Sequence, residues 1–503
     1  MQKFDVVIIG SGIGGLVCAD ILGKEGYSVC VIEKNKQLGG CLQTYSREKT
    51  IFDSGVHYIG GLDKGQNMYQ IFKYLGIMDD LKLQKLDEDG FDKILIDNDE
   101  NVYSYAQGYD NFIAGLVKFF PEEETAIRTY CDKILEICGK FPLYNLRSSI
   151  GYEENASVLE IDTKEYIDSI TTNEKLRVVL AGNNALYAGE PGKTPLYVHA
   201  LILNSYIESS YKCVDGGGQI AKLLAKSIRK NNGDFIRDKE VIKIVEENGL
   251  VEYVELADNT RVYGKEFISN IHPAKTIQIL QTDMLRAAFK KRVINMENST
   301  SSFTINIVLK KNSFKYLKHN FYCHKDGHVW TAQNYTEENW PLGYAMFLSA
   351  SSKSTEFADA MSILTYMRID DVKPWADTFN TTSDENSRGE DYEHFKIRKA
   401  EILLDSVEHK FPGLRDCIQS YTVATPLSFR DYIGNDDGSL YGVTKDYKDP
   451  LRTFLSPKTK IPNLFLTGQN LNLHGILGAS MSGLKTCFAI LGNDNIIEKI
   501  KNA

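Results

Sequence analysis

The chain has 503 residues, 43% hydrophobic and 25% charged, with a formal net charge of −9. That length allows sizeable cores and roughly three domains of about 150 residues, and the acidic balance disfavours nonspecific nucleic-acid binding. Nine cysteines with no CxxC pair read as reduced thiols of a cytoplasmic protein. No secretory leader is legible in MQKFDVVIIG, and no run approaches the roughly 20 apolar residues of a membrane span. Peripheral membrane association needs only a modest apolar patch and stays open.

Residues 4–9 form a short β-branched apolar run, the pattern of a buried parallel strand. Gly10, Gly12 and Gly15 follow in GxGxxG spacing, with Ser11 and Gly14 completing the loop. Leu16, Ala19, Ile21 and Leu22 continue as a helix, and Ser28 to Ile32 predicts a second strand ending at Glu33 and Lys34. Each part of this βαβ unit has a physical role. Gly10 permits the tight turn, Gly12 lets a pyrophosphate approach the backbone, and Gly15 allows close helix–strand packing. The helix N-terminus offers free N–H groups to phosphate, and Glu33 can accept hydrogen bonds from a ribose. A second glycine pair, Gly39 and Gly40, follows.

FDSGVHYIGG, residues 52–61, sets His57 and Tyr58 among Gly55, Gly60 and Gly61. That run is too glycine-rich for a helix interior and too irregular for a plain strand. The segment 76–210 is rich in tyrosine and phenylalanine on helical faces, which suits either an ordinary core or an aromatic-lined tunnel for a long apolar molecule. Gly216 to Gly218 then precede an amphipathic helix carrying Ile220, Leu223, Leu224 and Ile228, followed by alternating strands and a buried strand in EFISNI. In the second long insert, residues 376–395 read as a mobile surface loop. His324 and His328, in HKDGH, read as a surface hairpin, and no metal-ligand spacing is present among the histidines.

Near the end, Asn463 to Thr467 predicts a strand and Gly468 a turn beside Gln469. GILGASMSGLKTCFAIL then predicts a helix rich in small residues that opens at Gly475, Ile476 and Leu477. Its small residues let a flat ring approach closely, and its dipole would stabilise negative charge on a reduced flavin. The three separated pieces together point to FAD.

VVIIGSGIGGLVCADILGKEGYSVCVIEK, FDSGVHYIGG, TPLSFRDYIGNDDGSLYGV and GQNLNLHGILGASMSGL resemble the phytoene desaturase family of FAD enzymes. That family includes carotenoid desaturases, prolycopene isomerases and all-trans-retinol 13,14-reductases (retinol saturases). The resemblance spans nearly the whole chain, and its second and third stretches look most like the reductase and isomerase branch. It implies an α/β fold: an FAD-binding Rossmann-like domain of the two-dinucleotide-binding, amine-oxidase-like type, interleaved with an α+β substrate domain. The expected division is 1–75, 211–275 and 456–503 for FAD, and 76–210 with 276–455 for substrate. The resemblance also implies that Gly39 and Gly40 extend the nucleotide fingerprint, that Val241 meets the adenine through its backbone, and that Gly468 and Gln469 meet the ribityl and phosphate region. Gln469 departs from the acidic residue common in the family, but a neutral amide can still hydrogen-bond the ribityl chain. Val214-Asp215 replaces a proline–glycine pair of this branch and bears on the substrate.

The expected chemistry is saturation or isomerisation of C=C bonds in a polyene or isoprenoid lipid, in preference to desaturation. An amine-oxidase-like flavoenzyme and a non-enzymatic prenyl-protein escort are the alternatives. Proton transfer at the reacting bond falls to His57 or Tyr58, with Tyr206 also competent. His57 also suits a role bracing its loop. Arg430 suits either a clamp on a polar substrate head or flavin oxygen, or a structural ion pair. With no second GxGxxG, free NAD(P)H is an external electron donor to test. Oligomeric state is not legible.

Overall fold

The computed structural model describes residues 3–148, 156–325 and 327–503. Two large sheets organise the chain. In the first, Lys3–Ile9 lies between Val29–Glu33 and Arg261–Ser269, all parallel. Asp234–Arg237 extends one edge in the same sense. Leu464–Leu466, from the end of the chain, pairs in parallel with Arg261–Ser269. Val29–Glu33 is buried at every position, as expected of a parallel strand covered on both faces. Antiparallel Leu250–Leu256 and Val241–Glu247 complete the other side.

The expected domain boundary at 275 falls inside the helix Pro273–Ile279, and the sheet gains one more short strand, Leu280–Gln281, paired with Val241–Glu247. The helices Ile13–Lys24 and Gly475–Leu491 pack directly on each other. A Cβ added at Gly483 would lie 3.0 Å from both Gly14 O and a Val17 methyl. Small residues on the last helix therefore let two helix backbones approach, a packing role apart from the ring approach the sequence predicts.

The second sheet has seven strands, in the order Ile418–Ala424, Ser301–Leu309, Ala360–Met367, Gly343–Leu348, Asn320–His324, Asp92–Ile96 and Tyr103–Tyr105. Strand alternation divides its side chains. Ile94, Ile96, Tyr103, Tyr105, Tyr322, Ala345 and Phe347 join the core built with the helices Glu124–Gly139 and Leu196–Glu208. Leu95, Phe321, Cys323, Met346 and Leu348 face the opposite way, against the helix Glu390–Lys410.

A small three-stranded sheet joins the two halves. Ser210–Cys213 runs antiparallel to both Ile59–Gly60 and Leu83–Lys85. Its register pairs Ile59 with Tyr211, so one step outward Tyr58 comes opposite Lys212.

Two readings change here. His324 is not on a surface hairpin. It ends a fully buried strand, and its Nε2 lies 2.6 Å from Gly182 O. The expected mobile loop is pinned. Asn380 N donates to Asp431 Oδ2 at 2.9 Å and Arg388 pairs with the same buried carboxylate, while residues from Glu390 onward are helix. Among the described residues no helix is long and apolar enough to cross a membrane, and no group of three metal-ligating side chains is present.

Candidate active site

The glycine turn after the first strand is built from backbone that no side chain could share. Gly10 has φ +91°, and a Cβ at Gly15 would lie 2.5 Å from Gly10 O. A Cβ at Gly14 would sit 2.9 Å from the Gly468 Cα, and one at Gly40 would lie 3.3 Å from the Gly12 Cα. Gly468 and Gly39 also hold positive φ, +95° and +118°. The turns of Gly10–Gly15, Gly39–Gly40 and Gly468 thus close on one point from three separated places in the chain.

Glu33, buried at the end of its strand, ties two of them together. Its Oε2 accepts from Ser11 N at 3.0 Å and Ser11 Oγ at 2.6 Å, its Oε1 accepts from Asn35 N at 2.9 Å, and Ser11 Oγ accepts from Gly39 N at 2.9 Å. Val241 stands at a register shift at the head of its strand, near the point where Lys239 N donates to Glu33 O. Neither helix that opens on this centre, Ile13–Lys24 or Gly475–Leu491, has a side chain capping its N-terminus. Their first N–H groups are donors available to an anion or a polarised ring edge. Gly12, Gly14 and Gly15 leave the close approach a pyrophosphate needs, and Gly475, at φ +75°, has nothing within 4 Å of where a Cβ would stand. The residues therefore fit a bound dinucleotide.

Asn270, which no motif singled out, sits at the middle of this cradle. Its Nδ2 donates to Gly10 O at 3.2 Å, and its amide lies within 3 Å of the Cβ positions of Gly12, Gly14 and Gly468. The only local sign of it is the polar residue that ends the strand in EFISN. Gln469 is half-buried beside Gly468. Gly55 packs on Cys41, with a Cβ position 3.2 Å from the Cys41 Cβ. Lys34 turns away from the turn: its Nζ donates to Asp431 O at 2.8 Å, and burial lowers its pKa.

Facing the cradle is an aromatic wall. His57 lies flat on Phe347, centroids 4.3 Å apart. Tyr58 packs on Tyr206 at 4.3 Å. Tyr441 packs on His474 at 4.4 Å, immediately before the helix Gly475–Leu491. His57 keeps part of its surface open, yet the protein crowded around it holds the ring neutral, with a pKa lowered to about 3 by desolvation and, next, by Lys212. His474 is held neutral in the same way, at about 4.

Behind the wall, Tyr58 OH donates to Asp92 Oδ2 at 2.8 Å and lies 2.7 Å from Tyr322 OH. Asn320 Nδ2 donates to Asp92 Oδ1 at 2.9 Å, which follows from the direct pairing of Asn320 with Asp92 in the sheet. Next to the wall, Phe141, Leu143, Tyr197, Leu201, Phe454 and Met481 line an apolar cavity of about 620 Å³ including its mouth, bounded by Leu473, Leu477 and Gly478 of the helix start.

Arg430 is not part of this wall. Its guanidinium donates to Asp431 Oδ1 at 2.8 Å and to the carbonyls of Ala376 and Thr378. The clamp on substrate or flavin gives way to the structural ion pair, because the neighbouring buried carboxylate and two loop carbonyls take up its donors.

The comparisons with known proteins agree with this architecture. A family model described as an NAD(P)-binding Rossmann-like domain matches residues 8–75. The all-trans-retinol 13,14-reductase of Rattus norvegicus is 27% identical over 97% of this chain and 86% of its own length. The chloroplastic prolycopene isomerase of Daucus carota is 25% identical over 99% of this chain and 82% of its own. Among solved structures, putrescine oxidase bound to putrescine superposes with a TM-score of 0.66 at 11% identity, covering 98% of this chain and 100% of that one. The fold and site define an oxidoreductase with a Rossmann-type dinucleotide-binding domain. Within that class the chain is similar over nearly its whole length to the retinol 13,14-reductases and prolycopene isomerases.

Proposed function

We propose that this protein is an FAD-dependent oxidoreductase that saturates or isomerises C=C bonds of a carotenoid- or retinoid-like polyene. The observation that carries the reading is the apolar, aromatic cavity that ends at Leu473, Leu477 and Gly478, beside the uncapped first turn of the helix Gly475–Leu491. A long unsaturated chain is the ligand such walls exclude water around. Full-length similarity to proteins named for polyene chemistry supports it.

When bound, the flavin supplies hydride chemistry. The chain does the rest. Ser11, Gly12 and Glu33 would hold the nucleotide end, the N–H groups at Gly475, Ile476 and Leu477 would be donors to the flavin, and the His57–Phe347 stack would orient the polyene. The two histidines of the wall are held neutral. Free NAD(P)H is the external donor in this reading. Peripheral contact with a membrane surface would deliver the lipid to a protein kept in the cytoplasm.

The test is anaerobic. Purified protein should be yellow, and its reduced form should be reoxidised by retinol or a carotenoid, or should yield a geometric isomer without net reoxidation. Reduction of the oxidised form by an amine would overturn the reading.

A further inference from the structure

Lys212 is 2% exposed and Asp92 is fully buried. A charge this deep in the protein is costly unless it is compensated. The Lys212 ammonium donates to Leu348 O at 2.6 Å, and the opposite charges acting on it most strongly are those of Asp92 and then Asp53. Asp53 is itself fixed by Gly217 N at 2.6 Å. His57 and His319 also feel the Lys212 charge. One lysine thus serves two carboxyls in a poorly solvated space. Near neutrality is kept when one of the two carboxyls carries a proton, so the cluster stores a proton.

The hydrogen bonds around Asp92 give that proton a route. A tyrosine hydroxyl has one proton to donate. With Asp92 ionised, Tyr322 donates to Tyr58 and Tyr58 donates to Asp92. With Asp92 protonated, the order reverses: Asp92 donates to Tyr58, Tyr58 donates to Tyr322, and the Tyr322 proton is free to leave toward the wall. Tyr322 is edge-on to Phe347 at 6.0 Å and interacts electrostatically with Tyr206 and Tyr441.

We propose that Asp92, Tyr58 and Tyr322 form a proton wire feeding the aromatic wall, and that Lys212 is the positioning residue that sets when Asp92 releases its proton. The proposal rests on the reading of the site as one that reduces polyenes. Saturating a C=C bond adds a hydride to one carbon and a proton to the other. Reduced flavin is the hydride source. The proton leaves the wire at Tyr322, Tyr58 replaces it, Asp92 replaces that one and becomes a carboxylate, and solvent later reprotonates Asp92. Burial supports the timing: it raises Asp53 to about 7 and Asp92 to about 6 and lowers Lys212 to about 7, so Asp92 is the carboxyl of the two that gives up its proton first.

Infrared titration of the carboxyl C=O stretch in the purified protein, with or without cofactor, tests the store directly. The wild type should show a buried carboxyl titrating near pH 6 that Asp92→Asn removes. Lys212→Met, which removes the stabilising cation, should move that midpoint upward by about a unit or more, and Lys212→Arg should bring it back. In polyene-driven reoxidation, the rate should fall as pH rises through the same midpoint, and the fall should shift upward in Lys212→Met. Tyr58→Phe should slow the reaction about a hundredfold and raise the carboxyl midpoint, because it removes the hydroxyl that donates to Asp92. A midpoint unchanged in Lys212→Met, or an undiminished rate in Tyr58→Phe, overturns the proposal. Should no polyene reoxidise the wild type, the function reading fails, and the infrared titration alone still decides the role of Lys212.

Discussion

The imidazole of His57 and the ring of Phe347 stack with planes only 3° from parallel. Such a stack fixes the histidine's orientation, and burial keeps it uncharged, with a pKa near 3. His57→Phe preserves the stack. The variant should retain its flavin, lose no more than about tenfold in reoxidation rate, and keep the same pH profile above pH 4, since the replaced group does not titrate there. Flavin stoichiometry and stopped-flow absorbance check this. A rate loss of about a hundredfold or more would make His57 the proton donor.

Gly15→Ala should be among the most damaging single-methyl changes. The added carbon meets the Gly10 carbonyl at 2.5 Å, backbone against backbone, so nothing can yield cheaply. Overpacking of this kind costs about 1–3 kcal/mol. The expected result is a lower melting temperature and loss of bound flavin in the purified protein, read by calorimetry and absorbance.

That cradle was legible because its information is local: spacing within 30 residues fixes turn, helix and terminal acid. The wall was half legible. FDSGVHYIGG drew attention to His57 and Tyr58, yet the partners that define them are far away. Asp92 is 34 residues from Tyr58, and Tyr322 is 264. Lys212 looks like an ordinary exposed strand lysine until the register puts it opposite Tyr58. The choice between the two roles of Arg430 was not legible for a related reason. Asp431 beside it looks like a surface acid in the sequence, and only the fold buries it between two arginines.

His199 carries a pH prediction. It bridges the hydroxyls of Tyr130 and Tyr187 and is fully buried, which lowers its pKa from 6.5 to about 3. Between those values the unfolded chain binds a proton that the folded chain refuses, so stability is present above pH 6.5 and is lost as pH falls toward 3. One such group contributes a slope of up to about 1.4 kcal/mol per pH unit. His57, His324 and His474 act in the same direction, while Asp53 and Asp92, raised to about 7 and 6, oppose them. His199→Leu should melt lower than wild type at pH 8 but lose less on acidification from 6.5 to 4. Equal slopes in thermal melts of the two proteins would refute the assignment.

Asp431→Asn should release the segment 376–389. Asp431 holds both Arg388 and Arg430, and removing a buried counter-charge typically costs about 3–5 kcal/mol. Limited proteolysis should cut this segment in the variant much faster than in wild type, with flavin content retained. Equal cleavage rates would show that the carbonyls of Ala376 and Thr378 suffice to hold it.

The first and last thirds of the chain meet on the strand Arg261–Ser269, which takes Lys3–Ile9 on one side and Leu464–Leu466 beside its end. Cys18 donates to Gly483 O across 465 residues. During synthesis, then, the glycine turn emerges first and waits. Its closing partner at Gly468 leaves the ribosome only after several hundred further residues, so the cofactor cradle matures long after its signature is made. Long-range closure of this kind is slow and exposes apolar surface while it waits. Premature termination anywhere before the final helix would leave a nascent product with an unfinished sheet, a natural substrate for chaperones and proteases.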